Sequence, residues 1–131
     1  MMEQGKYRLM VIDDEPIVGK RLRQILEKAG YDIKVFTDGR SALNDLRKNS
    51  YDIIVTDLKM EDVDGMKILE ASIEKNPDIK VIIITGFAKI DTAKEAFKKG
   101  VFDFIAKPFK IEELKQVILR AEKEILDSKK Q

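Results

Sequence analysis

The chain has 131 residues, of which 44% are hydrophobic, and this composition fits one globular domain spanning 1–131. Its 25 Lys and Arg residues almost balance its 24 Asp and Glu residues, which excludes a general attraction to nucleic acid or anionic lipid. Because cysteine and histidine are both absent, thiolate and imidazole chemistry is excluded, and carboxylates remain as candidate nucleophiles and metal ligands. No apolar stretch approaches the roughly 18 residues that a membrane span needs, so we expect a soluble, cytoplasmic protein.

Five short apolar runs along the chain predict five β-strands. The runs are 9–12, 33–36, 53–55, 81–84 and 101–105. A segment with apolar residues at helical spacing follows each run and predicts a helix. These segments contain, in order, Val18, Ala42, Met66, Ala93 and Leu114. Pro16 suits the first turn of the first helix, and Gly30 and Gly100 are expected to end the first and fourth helices.

The alternation of strands and helices predicts an α/β fold, with a parallel sheet covered by helices on both faces. The first, third and fourth runs are apolar throughout, as expected for central strands. Lys34 interrupts the second run and Asp103 the fifth, which favours edge positions for these two strands. The chain must then cross the first strand to place the third on its other side. Ligands of such sheets bind at the carboxyl ends of the strands beside this crossing.

Acidic side chains follow the two strands that flank the crossing. Asp13 and Asp14 come directly after the first strand, and Asp57 follows the third. Neighbouring strands lie about 4.8 Å apart, and two carboxylates at ~4 Å repel by about 4 kcal/mol at an effective dielectric constant near 20. A divalent cation would compensate, and an all-oxygen ligand set suits Mg²⁺ better than Zn²⁺. Asp57 is then a candidate phosphoryl acceptor.

Two further polar residues follow the fourth and fifth strands. Thr85 offers a hydroxyl group to an anionic oxygen, and Lys107 offers a mobile ammonium group. Taken singly, each of these residues and acids has an ordinary explanation as a helix cap, a turn residue or a strand end. Together they stand at the carboxyl ends of four strands, which favours one shared site for phosphoryl transfer.

The sequence resembles the receiver domain of two-component response regulators, with a core over 7–126, and is most similar to receivers of nitrogen-regulator-class transcriptional activators. The motifs that carry the resemblance are Val-Ile-Asp13-Asp14-Glu15-Pro, Val-Thr-Asp57-Leu-Lys-Met60 with Gly65, Ile-Ile-Thr85-Gly86 and Phe102-Asp-Phe104-Ile-Ala-Lys107-Pro108-Phe109. The resemblance implies a flavodoxin-like sheet of five parallel strands in the order 2-1-3-4-5. It also implies a phosphoprotein switch of a phosphorelay that is not an enzyme on external substrates.

The resemblance implies a role for each site residue. Asp57 is expected to be the phosphoacceptor, with Lys107 contacting the phosphoryl oxygens across a cis Lys107-Pro108 bond. Thr85 and Phe104 are the expected switch pair, which would alter the surface of the fourth helix, fifth strand and fifth helix. The expected Mg²⁺ ligands are the Asp13, Asp14 and Asp57 carboxylates and the Lys59 backbone carbonyl.

The resemblance also implies partners. The expected phosphodonor is a sensor histidine kinase or histidine phosphotransfer protein, docking near Ile17 and the loop after the fifth strand. The downstream target is not identified by the sequence, and we expect neither direct nucleic-acid binding nor a membrane partner.

The sequence departs from the family pattern at a few positions. Glu61 follows Met60 where the family usually has proline, so a more mobile loop is expected there. Phe104 lacks the hydroxyl group of a tyrosine. Lys59 and Phe87 occupy positions that in this family influence the lifetime of the phosphoryl group.

Several other functions share part of the sequence pattern, but most of them require residues that stand elsewhere or are absent. A metal-dependent aspartyl phosphatase would show Asp-x-Asp after its first strand, whereas Asp13 and Asp14 are adjacent. A calcium loop is suggested by Asp62-Val-Asp64-Gly65, but it would need acids where Met60 and Ala71 stand. A nucleotide-binding domain would need a glycine-rich loop after the first strand. A receiver that has lost phosphorylation and only binds partners remains a possible alternative.

Overall fold

The computed structural model describes residues 6–86 and 88–129, and within them five strands alternate with five helices. The strands are β1 (Arg8–Ile12), β2 (Asp32–Phe36), β3 (Ile53–Asp57), β4 (Lys80–Thr85) and β5 (Asp103–Ala106). The helices are α1 (Pro16–Lys28), α2 (Gly39–Lys48), α3 (Gly65–Lys75), α4 (Ile90–Lys98) and α5 (Ile111–Lys129). Among the described residues, no helix combines the length and the apolar character needed to cross a membrane.

The strands form one parallel sheet in the order β2-β1-β3-β4-β5, which confirms the predicted flavodoxin-like topology. Lys34 and Asp103 lie on the two edge strands, as their interruption of apolar runs indicated. In the register between β1 and β3, Ile12 pairs with Thr56. The next residues along the chain, Asp13 directly after β1 and Asp57 at the end of β3, are therefore neighbours at the carboxyl edge of the sheet.

The sheet separates two hydrophobic clusters, because side chains alternate between its faces. On one face, Leu9 and Val11 of β1 belong to the cluster built with α1 and α5. On the other face, Met10 and Ile12 belong to the cluster built with α2, α3 and α4. These four residues are at most 1% exposed. Burial on both sides explains why the central strands are apolar throughout.

The helix ends follow the predicted signals. Pro16 is the first residue of α1, where its missing N–H costs no helical hydrogen bond. Gly30 and Gly100 follow the caps of α1 and α4 with φ values of 100° and 97°, a conformation that favours glycine.

The predicted start of the fifth strand is wrong by two residues, because β5 begins at Asp103 rather than at 101. The Val101 N–H donates to the Ala96 carbonyl oxygen at 3.0 Å, so this buried residue closes the end of α4. Its apolar side chain packs in the core beside the end of the helix. An apolar run alone does not distinguish such a buried loop residue from a strand residue.

A partly buried polar cluster ties α2 to the sheet. The Asp45 carboxylate, whose side chain is 13% exposed, accepts hydrogen bonds from Lys34 at 2.9 Å, from the Asn49 amide at 3.0 Å and from the Tyr51 hydroxyl. The Tyr51 side chain is buried. Removing the carboxylate would leave this hydroxyl and the lysine without their acceptor.

We expect Asp45→Ala to lower the free energy of unfolding by about 2 kcal/mol, because buried hydrogen-bonding groups lose their acceptor. Urea denaturation at neutral pH measures the change. The exposed neighbour on the same helix gives a control, since Asn44→Ala should change stability by less than about 0.5 kcal/mol. Equal effects of the two substitutions would contradict a structural role of the cluster.

The same cluster predicts a pH dependence. Burial raises the pKa of Asp45, but hydrogen bonds from Tyr51 and Lys34 outweigh it, and the pKa lies below its ordinary value of 3.8. A carboxyl group with a lowered pKa stabilises the fold above its unfolded-state pKa, and this stabilisation disappears as the pH falls through the folded-state pKa. The stability difference between wild type and Asp45→Ala should therefore be full at neutral pH and shrink below about pH 4.

Candidate functional site

Three carboxylates meet where β1 and β3 end. Asp13, Asp14 and Asp57 each place one oxygen atom within 4.8 Å of the others, as the sequence predicts. Asp13 is 5% exposed and Asp57 is 9% exposed, whereas Asp14 lies at the surface. Buried carboxylates at this separation repel strongly unless positive charge lies nearby.

Lys107 supplies part of that positive charge. Its Nζ atom donates to Asp13 Oδ2 and to Asp57 Oδ2, both at 3.2 Å. The lysine reaches them because its backbone N–H, directly after β5, donates to the Thr85 carbonyl oxygen at 2.9 Å. The Lys107-Pro108 peptide bond is cis, as the resemblance implies.

The Asp13 carboxylate is oriented by its own turn. Its Oδ1 atom accepts a hydrogen bond from the Glu15 N–H at 2.9 Å, while its Oδ2 atom pairs with Lys107. The two oxygen atoms therefore have different partners, and the side chain is held in one orientation. From the sequence alone, an ordinary helix-cap or turn role is the only local structure expected for an acid at this position.

The pKa values of Asp57 and Lys107 depend on opposing effects of burial and of neighbouring charges. Burial raises the pKa of Asp57, Lys107 opposes the rise, and Asp13 adds to it, so that the pKa lies above its ordinary value. Burial lowers the pKa of Lys107, but attraction and hydrogen bonds from Asp13 and Asp57 outweigh burial and raise it. Lys107 is therefore charged at neutral pH and shared between two carboxylates.

The donor set of the cluster fits a divalent cation. Three carboxylates and one ammonium group leave two negative charges in excess when all are ionised. Every candidate ligand atom is an oxygen, the donor type that Mg²⁺ and Ca²⁺ prefer. The charge and the ligand chemistry of these residues are thus consistent with Mg²⁺.

Thr85 and Phe104 lie on the neighbouring strands. Asp57 pairs with Ile84 in the register of β3 and β4, so Thr85 is one residue beyond it at the same edge. Thr85 is fully buried. Phe104 is partly buried and packs against the hydrophobic cluster on the α4 side of the sheet. Both predicted switch residues therefore lie near the acids or the α4 layer.

The loop from β3 to α3 contains a contact that sequence analysis missed. The Asp62 carboxylate accepts backbone hydrogen bonds from Gly39 and Arg40 at the start of α2. The sequence drew attention to Asp62 only within a rejected calcium loop, because its partners lie 23 and 22 positions earlier in the chain. Lys59 is exposed in this loop, and Phe87 lies outside the described residues.

An apolar groove adjoins the site between α1 and the segment that follows β5. Its volume is about 750 Å³, and its lining includes Ile17, Pro108, Phe109 and Lys107. Ile17 is 76% exposed. The groove thus connects an exposed apolar surface directly to the lysine of the acidic cluster.

Comparison with known proteins gives the family. The family model for the response regulator receiver domain matches residues 9–119. The transcriptional regulatory protein ZraR of Salmonella typhimurium is 31% identical over 120 residues, covering 92% of this chain and 27% of that protein. DctD, a C4-dicarboxylate transport transcriptional regulatory protein of Rhizobium meliloti, is 34% identical over 114 residues, covering 87% of this chain and 25% of that protein.

Solved structures agree with the sequence relatives. A response regulator receiver domain protein of Clostridium thermocellum has a TM-score of 0.83 and 31% identity, covering 92% of this chain and 98% of that one. The beryllofluoride-activated NtrC4 receiver domain dimer has a TM-score of 0.84 and 36% identity, covering 90% of this chain and 98% of that one.

These relatives bear out the resemblance to receivers of nitrogen-regulator-class activators. The chain spans about a quarter of the length of the curated relatives it matches. Its fold, its acidic cluster and the family match over most of its length lead to one conclusion. The chain belongs to the response regulator receiver domain family and is a receiver domain of two-component signal transduction.

Proposed function

We propose that Asp57 is the phosphoacceptor of this receiver and that Asp13, Asp14 and Lys107 serve the transfer. The observation that carries the proposal is the Asp57 carboxylate, nearly buried, 3.2 Å from the Lys107 ammonium group and clustered with two other acids. A carboxylate so placed is a nucleophile beside a cation that can attract an incoming phosphoryl group.

The residues that would hold Mg²⁺ are Asp13, Asp14, Asp57 and the backbone carbonyl of Lys59. The excess negative charge of the three carboxylates supports this proposal. When bound, the ion supplies positive charge that offsets repulsion between the acids and the phosphoryl oxygens. The cytosolic availability of the ion and its preference for oxygen ligands favour Mg²⁺ over transition metals.

The transfer step follows from the chemistry of a carboxylate. An Asp57 oxygen atom attacks the phosphorus atom of a phosphohistidine, the P–N bond breaks, and the departing imidazole keeps the electron pair and takes a proton from solvent. The product is an aspartyl phosphate. Since the chain contains no histidine, the donor must supply it, as a histidine kinase or histidine phosphotransfer protein would.

The switch is proposed to run through Thr85 and Phe104. A phosphoryl group on Asp57 adds negative charge at the edge of the sheet, and the Thr85 hydroxyl can donate a hydrogen bond to it. Phe104, partly buried beside α4, would then change position and alter the surface of α4, β5 and α5. This change requires only that phosphorylation favours one of two conformations that the protein already populates.

The phosphodonor is proposed to dock in the groove that Ile17 lines. We expect Ile17→Asp to slow phosphotransfer from a phosphorylated histidine phosphotransfer protein by about tenfold or more, because a central apolar contact is replaced by a charge. Labelling by a small acyl phosphate should be unchanged, since this reaction needs no docking. Rapid-quench measurements with both donors separate the two effects.

Ile90 provides the matched control. It is 75% exposed, almost as much as Ile17 at 76%, but it begins α4 instead of lining the groove. Ile90→Asp should leave transfer from the histidine donor unaltered. Equal slowing by both variants, or slowing of the acyl phosphate reaction by Ile17→Asp, would contradict docking at the groove.

The proposed output is a protein partner or an effector domain, without direct contact of this domain with nucleic acid or membrane. Relatives named transcriptional regulators support this proposal. The remaining alternatives are an unphosphorylated interaction module and an aspartyl phosphatase. Two measurements distinguish them from a phosphorylated receiver. Absence of Mg²⁺-dependent labelling by acetyl phosphate would favour the interaction module, and turnover of an external phosphate ester would favour the phosphatase.

A further inference from the structure

The loop between β3 and α3 is fixed where it joins α3. The Gly65 N–H donates to the Leu58 carbonyl oxygen at 2.8 Å. A Cβ atom on Gly65 would lie 2.4 Å from the Asp57 carbonyl oxygen, so the chain passes too close to the phosphoacceptor for any side chain. Residues 59, 61 and 62 between these points are exposed, and the loop lacks the proline that usually follows Met60 in this family.

Asp62 fixes the middle of this loop to another element. Its Oδ1 atom accepts hydrogen bonds from the Val63 N–H at 2.7 Å and the Gly39 N–H at 3.2 Å, and its Oδ2 atom accepts one from the Arg40 N–H at 3.0 Å. Gly39 and Arg40 begin α2. Their N–H groups have no acceptor within the helix, so a carboxylate from outside can satisfy them.

Two other observations support a close and specific contact. A Cβ atom on Gly39 would lie 2.3 Å from the Val63 carbonyl oxygen, so α2 and the loop meet backbone to backbone. The pKa of Asp62 is lowered, first by the Val63 N–H and then by the Arg40 N–H. The carboxylate is therefore charged at neutral pH and keeps its acceptor capacity.

We infer that Asp62 is a positioning residue that holds the 58–65 loop against the start of α2 and thereby places the Lys59 carbonyl for the metal ion. The inference rests on the proposed function, in which that carbonyl is a ligand. The backbone of Lys59 lies between two fixed points, Asp57 at the end of β3 and Asp62, which is hydrogen-bonded to the start of α2. Removing the second point leaves the carbonyl on a loop attached only at its ends.

Asp38 offers a matched control at the same helix end. It is the N-cap of α2 and accepts a hydrogen bond from the Ser41 N–H at 2.8 Å. Asp38→Ala and Asp62→Ala each remove one negative charge and one carboxylate that accepts hydrogen bonds at this helix end, from one N–H group for Asp38 and from two for Asp62. Only the Asp62 substitution removes the hydrogen bonds to the loop, so a difference between the variants reports on the loop.

The experiment measures Mg²⁺ binding by calorimetry for the wild type and for the Asp62→Ala, Asp62→Asn and Asp38→Ala variants, with thermal unfolding in parallel. We expect Asp62→Ala to raise the Mg²⁺ Kd by about tenfold, the effect typical of losing an outer support of a metal ligand. Asp38→Ala should change the Kd far less while lowering stability by a similar amount. Asp62→Asn, which keeps one acceptor oxygen, should lie between the wild type and Asp62→Ala.

Hydrogen exchange gives a second measurement that does not depend on the ion. The Gly39 and Arg40 amides should exchange faster in Asp62→Ala than in the wild type. A wild type that binds no Mg²⁺ would overturn the proposed function. A wild type that binds Mg²⁺ normally, together with an unchanged Kd in Asp62→Ala or an equal change in Asp38→Ala, would overturn only the positioning role of Asp62.

Discussion

Asp57→Asn is expected to abolish phosphorylation while preserving the fold. An amide oxygen is a far weaker nucleophile than a carboxylate oxygen, and the two other carboxylates of the cluster, Asp13 and Asp14, are the proposed ligands of the metal ion. The substitution keeps the size of the side chain and removes one of the clustered negative charges near Asp13. The melting temperature in the absence of Mg²⁺ should therefore not fall, and relief of repulsion favours a small rise.

Intact-mass analysis after incubation with acetyl phosphate and Mg²⁺ measures the outcome. The wild type should gain the mass of one phosphoryl group, and Asp57→Asn should gain none. Asp64→Asn is a suitable control, because Asp64 is an exposed N-cap at the end of the same loop and asparagine caps helices equally well. It should be labelled like the wild type. Full labelling of Asp57→Asn would show that another residue is the acceptor.

Lys107→Ala is expected to slow phosphorylation about 100-fold, the cost of removing one donor that stabilises developing charge. Mg²⁺ binding should behave differently. The ammonium group pairs with two of the acids at 3.2 Å and competes with a cation for their oxygen atoms. Its removal should keep or strengthen Mg²⁺ affinity, and Mg²⁺ should restore stability lost through unrelieved repulsion between Asp13 and Asp57.

Asp13→Asn provides the contrast. It removes a proposed ligand, so it should weaken Mg²⁺ binding, and part of the lost labelling rate should return at high Mg²⁺ concentration. Time courses of phosphorylation at a series of Mg²⁺ concentrations separate the affinity for Mg²⁺ from the maximal rate of labelling. If Lys107→Ala instead weakened Mg²⁺ binding and left the maximal labelling rate unchanged, the roles proposed for Lys107 and Asp13 would both be wrong.

Much of the fold could be predicted because its pattern is local. Strands buried on both faces must be apolar throughout, and this identified β1, β3 and β4 as central. The polar interruptions at Lys34 and Asp103 identified the edge strands. Once the order was known, the register of parallel strands placed Asp13 beside Asp57, so the acidic cluster followed from the topology.

Other features depended on contacts between distant parts of the chain. The apolar side chain of Val101 predicts a strand residue, because it gives no sign that the Val101 N–H closes α4. Asp62 bonds to the start of α2 and Asp45 to Tyr51 and Lys34. An aspartate in a loop or on a helix gives no signal of which distant N–H or hydroxyl group it will meet.

Mg²⁺-dependent phosphorylation of Asp57 is best tested by locating the phosphoryl group on the wild-type chain. The protein is incubated with acetyl phosphate with Mg²⁺ or with excess chelator, the acyl phosphate is trapped by reduction with borohydride, and peptides are analysed by mass spectrometry. We expect a single modified residue, Asp57, and only when Mg²⁺ is present. Modification at another aspartate, or equal modification of Asp57 in the presence of the chelator, would contradict this expectation.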